Sequence, residues 1–264
     1  MPTTYTHDKF GKDVYRKLPE HIKAVIRKGK GVYRIGQHGP DIFFYYKPIC
    51  LPQSRINKIG PQMHKEPAFG FFQQGIREFE ISPSPQLASY LFGFACHFML
   101  DSTCHPYISE YMKKTGARHD EIETEFDRAL MIRTGKDPFH YQPGSVIRIE
   151  KNSVDAISEV MEGMSHKDIV RALMGTKFYT RLPICDSEKK RKVKLAVARI
   201  LFMYRLADGR IIRGEPKDIC LESTQHLTQL FLQTVPEAAA MINEYYKQRN
   251  GSDRLNVRFD RNYK

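Results

Sequence analysis

The chain has 264 residues, of which 41% are hydrophobic and 27% charged. That make-up belongs to a globular protein with a sizeable core and excludes a disordered or fibrous one. No apolar run approaches the roughly 20 residues of a membrane-spanning helix, and the formal net charge of +12 predicts an anionic partner such as a phosphodiester, an anionic lipid surface or a nucleic acid.

The opening Met-Pro-Thr-Thr-Tyr-Thr-His-Asp has no basic segment followed by an apolar core, so the expected location is the cytoplasm. Helical periodicity then dominates. Asp8 to Arg27 carries Phe10, Val14, Leu18, Ile22 and Val25-Ile26 on one stripe, running across Pro19. Gly29 to Pro40, with four glycines, predicts a loop. Ala68 to Ile81 predicts a Phe-rich helix. Ser84-Pro85 is a start signal for a long apolar helix to about Cys104, where Pro106 limits its continuation. Another helix follows Gly116 and stops near Gly135. Residues 136–152 predict a connection with a short strand at Val146 to Ile149. Further helices are expected at 153–164, 166–175, 187–207 and 218–248. The stripe Val193, Val197, Ile200, Leu201 and Tyr204 is expected to pack on the N-terminal helices, and the basic run Lys189-Lys190-Arg191-Lys192 to be a solvated face. The fold class is all-α, a single-domain multi-helix bundle over 1–250 with a basic polar tail over 251–264 that is expected to be poorly ordered.

The chemistry is concentrated in the first half. His97, Asp101 and His105 recur every four residues in the apolar helix, so they fall within roughly 80° on one face, and each step of four rises roughly 6 Å. That spacing suits two neighbouring metals bridged by the middle carboxylate, each capped by one imidazole. His119 and Glu123 repeat it, with Asp127 four further on. Repeated imidazole and carboxylate donors point to a zinc cluster. His7, Asp41 and His64 are further candidates, each beside a glycine or proline that fixes the local backbone.

In order, Thr6-His7-x-x-x-Gly11, Gly39-Pro40-Asp41-x-Phe43, His64, Gly93-Phe94-x-x-His97-x-x-x-Asp101-x-x-x-His105-Pro106 and His119-x-x-x-Glu123 resemble the zinc-dependent phospholipase C family, whose helical fold is shared with single-strand-specific zinc nucleases. The resemblance covers residues 5 to 130. It implies a polynuclear site of two to three Zn2+ ions between helices. Asp41, His64, His97 and Asp101 would hold one ion; His105, His119 and Glu123 a second; His7 and the bridging Asp101 a third. The secreted phospholipases also use a processed N-terminal tryptophan for the third ion, and this chain contains no Trp. The implied activity is hydrolysis of a phospholipid or small phosphodiester, with Asp41 both ligand and base. The alternatives are a nuclease or nucleotidase on the same scaffold, or a metal-binding protein without activity.

Other groups have plainer readings. Five cysteines (Cys50, Cys96, Cys104, Cys185 and Cys220) include no Cys-x-x-Cys pair and fit reduced thiols filling core space. Asp127 is expected behind the ligands or in solvent, His38 as a turn residue, and His21, His140, His166 and His226 as structural or surface groups. Phe43, Phe44, Tyr45, Tyr46, Phe69, Phe71 and Phe72 predict core, with an aromatic wall beside the metals as the alternative.

Overall fold

The computed structural model describes residues 4–48, 54–248 and 255–264. Its helices are α1 (Thr4–Lys17), α2 (Glu20–Lys28), α3 (Lys30–Gly36), α4 (Arg55–Met63), α5 (Phe69–Ile81), α6 (Pro85–Thr115), α7 (His119–Arg133), α8 (Lys151–Val160), α9 (His166–Tyr179), α10 (Glu188–Ile200), α11 (Tyr204–Arg210) and α12 (Leu221–Gln248). Short 3-10 turns lie at Gly39–Tyr45, Pro143–Val146, Asp218–Cys220 and Val257–Asp260. The fold is all-α, with no strand among the described residues, so Val146 to Ile149 is corrected from strand to the last residue of a 3-10 turn and the irregular chain after it.

The bundle is organised around α6. Ser84 caps it, its hydroxyl accepting from Leu87 N–H at 3.0 Å, and Pro85 fills a first-turn position that needs no N–H. From Leu87 to Leu100 every residue of α6 is buried, so the helix is apolar on all sides and packs against α1, α2, α3, α5, α7, α8 and α12. The expected end near Cys104 is overturned. α6 passes through Pro106 because Ile108 and Tyr111 beyond it are buried and the Tyr111 hydroxyl donates to Ile219 O at 2.8 Å. Those contacts outweigh one lost backbone hydrogen bond. Gly116, at φ 77°, ends the helix in the left-handed conformation.

Three other expectations change. Pro19 divides the first stripe into α1 and α2, although Phe10, Val14, Leu18, Ile22 and Ile26 all remain buried. The glycine-rich segment 29–40 contains α3 rather than a loop. Its glycines serve close packing: a Cβ on Gly36 would sit 2.3 Å from Tyr90 O, and one on Gly93 of α6 would sit 2.1 Å from Tyr33 O. The predicted helix 187–207 breaks where Phe202 adopts φ 57°. Its stripe does not pack on the N-terminal helices, since Val193, Val197, Ile200 and Leu201 are exposed. Leu195 faces inward instead, into a small separate cluster with Cys185 and Ile211.

The C-terminal segment corrects the expectation of a poorly ordered polar tail for residues 255–264. Leu255, Phe259 and Tyr263 are buried, and the Phe259 ring lies 4.2 Å from Phe72. Residues 251–254 and Cys50 lie outside the described residues. The other four cysteines are buried and free. Among the described residues no helix is long and apolar enough to cross a membrane. Gly93→Ala is expected to lower stability by about 1–3 kcal/mol or more, because the obstruction is a backbone oxygen that cannot swing aside. A denaturant midpoint equal to that of the parent chain would show that α3 and α6 are not in such close contact.

Candidate metal centre

Five pieces of backbone deliver the eight candidate residues to one place. α6 carries His97, Asp101 and His105 on one face, α7 carries His119 and Glu123, and α1 carries His7. The 3-10 turn after α3 carries Asp41, and the residue capping the end of α4 is His64. Gly39 makes the turn possible. Its φ is 50°, and a Cβ there would lie 2.3 Å from the His97 ring, so only glycine lets this backbone rest on the imidazole.

Asp101 is the hub. Its Oδ1 lies 3.2 Å from His7 Nε2, while its Oδ2 lies 3.3 Å from His97 Nε2, 3.5 Å from His64 Nε2 and 3.8 Å from His105 Nε2. Asp41 Oδ1 is 3.3 Å from His64 Nε2. Glu123 Oε1 is 2.9 Å from His119 Nε2 and 3.5 Å from His105 Nε2. Three sets emerge whose donor atoms all fall within 4.8 Å of one another and that could hold a metal ion: His7, His97 and Asp101; Asp41, His64 and His97; His105, His119 and Glu123. Seven of the eight residues are buried. The His119 side chain is 33% exposed, so the cluster opens to solvent there.

The sequence could not show what holds these side chains in place. His64 Nδ1–H donates to Gly60 O at 2.7 Å, and His105 Nδ1–H donates to Tyr263 O at 2.6 Å. Each bond turns the Nε2 lone pair toward the centre. The Tyr263 contact spans 158 positions and uses a backbone carbonyl, which leaves no signature in sequence. Asp127 is buried on α7 and caps α1. It accepts from Tyr5 N–H (3.3 Å), Thr6 N–H (2.8 Å) and the Thr6 hydroxyl, tying the helix of His7 to the helix of Glu123. The four-residue step from Glu123 was the available signal for it.

The remaining groups stay apart from the three sets. His38 is buried beside the cluster, where burial and then His7 push it down to about 3, so it is neutral. His21 lies by Tyr246, His140 pairs with Asp137, His166 pairs with Asp155, and His226 stacks on Tyr107. Phe43, Tyr46 and Phe72 are core. Phe44 is half-buried with its ring 5.7 Å from His64, and Tyr263 lies 5.2 Å from the same ring.

The donor chemistry passes a test for a divalent cation. Buried Asp41 Oδ2 and His97 Nδ1 have no hydrogen-bond partner, and Asp41 Oδ1 and His97 Nε2 have only the 3.3 Å approaches to His64 and Asp101. Buried polar atoms of that kind carry a large desolvation penalty unless something pairs with them. Imidazole nitrogen and carboxylate oxygen are the donors zinc takes. Burial acts to raise Asp101, but His105, His97 and His7 hold it well below the usual carboxylate range. Burial acts to lower His64 and His105, yet Asp101 with Asp41 lifts the first to about 10, and Asp101 with Glu123 lifts the second to about 9. The cluster therefore draws in positive charge. Protons supply it when no metal does.

Residues 6–172 match the family described as zinc dependent phospholipase C. The chain belongs to that family. The matched region takes in all eight clustered residues and reaches past residue 130 into α9. No curated protein and no solved structure matches the chain. Membership of the zinc dependent phospholipase C family supports a hydrolase of that family.

The linkage has a definite sign. His64 and His105 have folded-state values above the ordinary 6.5, so their contribution to the metal-free fold is complete below about pH 6.5 and is lost as pH rises through 9 to 10. Zinc held by these two histidines would have to displace those protons, so its effect would grow as they leave. The melting temperature of chelator-treated protein is expected to fall from about pH 6.5 to about pH 10, and the increment on adding zinc to widen from about pH 6 to about pH 8. A zinc increment independent of pH would remove these two histidines from the metal site.

Proposed function

We propose that the chain hydrolyses the phosphoester bond of a phospholipid or small phosphodiester. In this reading two to three zinc ions are held by Asp41, His64, His97 and Asp101, by His105, His119 and Glu123, and by His7 with Asp101. The observation that carries it is Asp41, a buried carboxylate whose Oδ2 has no hydrogen-bond partner and whose Oδ1 lies 3.3 Å from an imidazole of the same set. Zinc in such a set supplies Lewis acidity, making water a usable nucleophile near neutral pH and offsetting the negative charge of the phosphate.

The protein's own groups divide the remaining work. Burial raises Asp41 above the ordinary carboxylate value, which suits it to accept the proton of the attacking water. Asp101 keeps its charge among the histidines and holds the three sets together. His119, at the opening, is where an anionic substrate meets the cluster first. Phe44 gives the approach to His64 one apolar wall, which suits an acyl chain and also permits a base.

Asp41→Asn is expected to slow hydrolysis of a p-nitrophenyl phosphodiester at least about 100-fold while the protein stays folded. His97→Ala and Asp101→Ala are expected to lower zinc content, read by atomic absorption, together with turnover. Intact zinc content and intact turnover in both alanine variants would end this reading. A panel adding phosphatidylcholine, single-stranded DNA and nucleoside monophosphates separates lipid from nucleic-acid chemistry. Full zinc loading with no turnover on any of them would leave a metal-binding protein.

A further inference from the structure

α10 wears its apolar stripe on the outside. At about 100° per residue, Val193, Val197 and Ile200 share one face, opposite the buried Leu195 and Ala198. Ile200 is 76% exposed. The helix then ends in a turn where Phe202, at φ 57°, is 98% exposed between the exposed Leu201 and Met203. Lys189, Lys190, Lys192 and Arg199 flank the stripe on α10, and Arg205 continues the fringe on α11, all of them exposed. Residues 181–210 contain nine lysines and arginines against three acids. An apolar ridge with a basic fringe is the pattern of a segment that lies in a membrane interface, with apolar tips at the acyl boundary and cations among anionic headgroups. A nucleic acid would meet the fringe and leave the ridge in water.

The ridge is fixed to the mouth of the metal cluster. Asp208 of α11 pairs with Arg191 at 2.9 Å and Arg213 at 2.7 Å, and lies 3.8 Å from Arg118, the residue before α7. Gly209 rests on Asp120 so closely that a Cβ would come within 2.1 Å of its Oδ2. Asp120 directly follows His119, the one clustered residue that reaches solvent. The ridge and the opening therefore share the first turn of α7.

We propose that the α10–α11 ridge docks the protein on an anionic lipid bilayer, with Val197, Ile200 and Phe202 entering the boundary between headgroups and acyl chains. The role given to docking rests on the phospholipid reading of the site, while docking itself is measured without turnover.

The chain has no tryptophan, so Phe202→Trp introduces a single indole at the tip, excited at long wavelength apart from the 14 tyrosines. Its emission is expected to shift to the blue on phosphatidylcholine–phosphatidylserine vesicles (about 7:3), far less on phosphatidylcholine alone, and to revert as salt rises. In co-sedimentation with the same vesicles, Ile200→Ser/Phe202→Ser is expected to lose at least about tenfold in partitioning, and Lys189→Gln/Lys192→Gln about fivefold per lysine. Both variants keep full turnover of the soluble p-nitrophenyl diester, which shows that they are folded. No blue shift and no co-sedimentation overturns the proposal. So does a blue emission without vesicles that follows protein concentration, which assigns the ridge to a second copy of the chain, or a spectral response to single-stranded DNA alone. Docking with no lipid turnover would sink the phospholipid reading of the site and leave the docking surface standing. Soluble-diester turnover with no docking would sink the docking surface and leave the hydrolase reading standing.

Discussion

A buried carboxylate surrounded by imidazoles is the constraint on which the rest of this protein is built. Asp101 sits midway along α6, 3% exposed, with His7, His64, His97 and His105 within 3.8 Å of its oxygens. A lone charge at such a depth would be expelled or neutralised. It persists because helices from distant parts of the chain bring positive or chargeable groups to it. Each of them is a demand on packing. α3 must approach α6 at the Gly36–Gly93 contact, the 3-10 turn must lie on His97 at Gly39, and α1 must be held to α7 through Asp127. The apolar core around α6 is the scaffold that can meet these demands while burying the cluster.

The sequence was most legible where one rule acted alone. Spacing by four on an apolar helix placed His97, Asp101 and His105 on one face, and the helix alone was enough to keep them there. His119 and Glu123 follow the same rule on α7. Legibility failed where local signals competed with burial. Four glycines between 29 and 40 suggested a loop, but the chain uses them to bring a helix against α6. Pro106 suggested a stop, but Ile108 and Tyr111 bury enough surface to carry α6 through it. The stripe on α10 was correctly apolar, yet no periodicity states which neighbour a stripe will meet, and here it meets none of the N-terminal helices. Tyr263 was out of reach altogether, because what it contributes to His105 is a carbonyl that any residue could offer.

The closure of the cluster explains the division between the two halves of the chain. The family match ends at residue 172, within α9, yet the site depends on residues beyond it. The C-terminal segment returns to cover the centre: Tyr263 fixes His105, Phe259 packs on Phe72, and Ala68 N–H donates to Arg261 O at 3.0 Å. Burial on that side removes water from Asp41 and His97, which strengthens every interaction of a charge held there. On the other side, among the described residues, the cluster meets solvent at His119. There α11 is anchored by Asp208 to Arg118, Arg191, Arg213 and Lys217. One half of the chain supplies the clustered imidazoles and carboxylates, and the other decides which face of them is dry.

That asymmetry bears on how an anionic substrate would reach the centre. Among the described residues the cluster meets solvent at His119, so a group that enters there passes the surface around it before any chemistry begins. Basic side chains alone would attract nucleotides, nucleic acids and lipids without distinction. Beside this opening the basic residues fringe exposed valine, isoleucine and phenylalanine side chains, which water disfavours and a bilayer accepts. The surface therefore adds to charge attraction an apolar term that a lipid aggregate satisfies and a nucleic acid does not. Selectivity for a phospholipid would then arise chiefly outside the metal centre, where two properties of the same helix have to be met together.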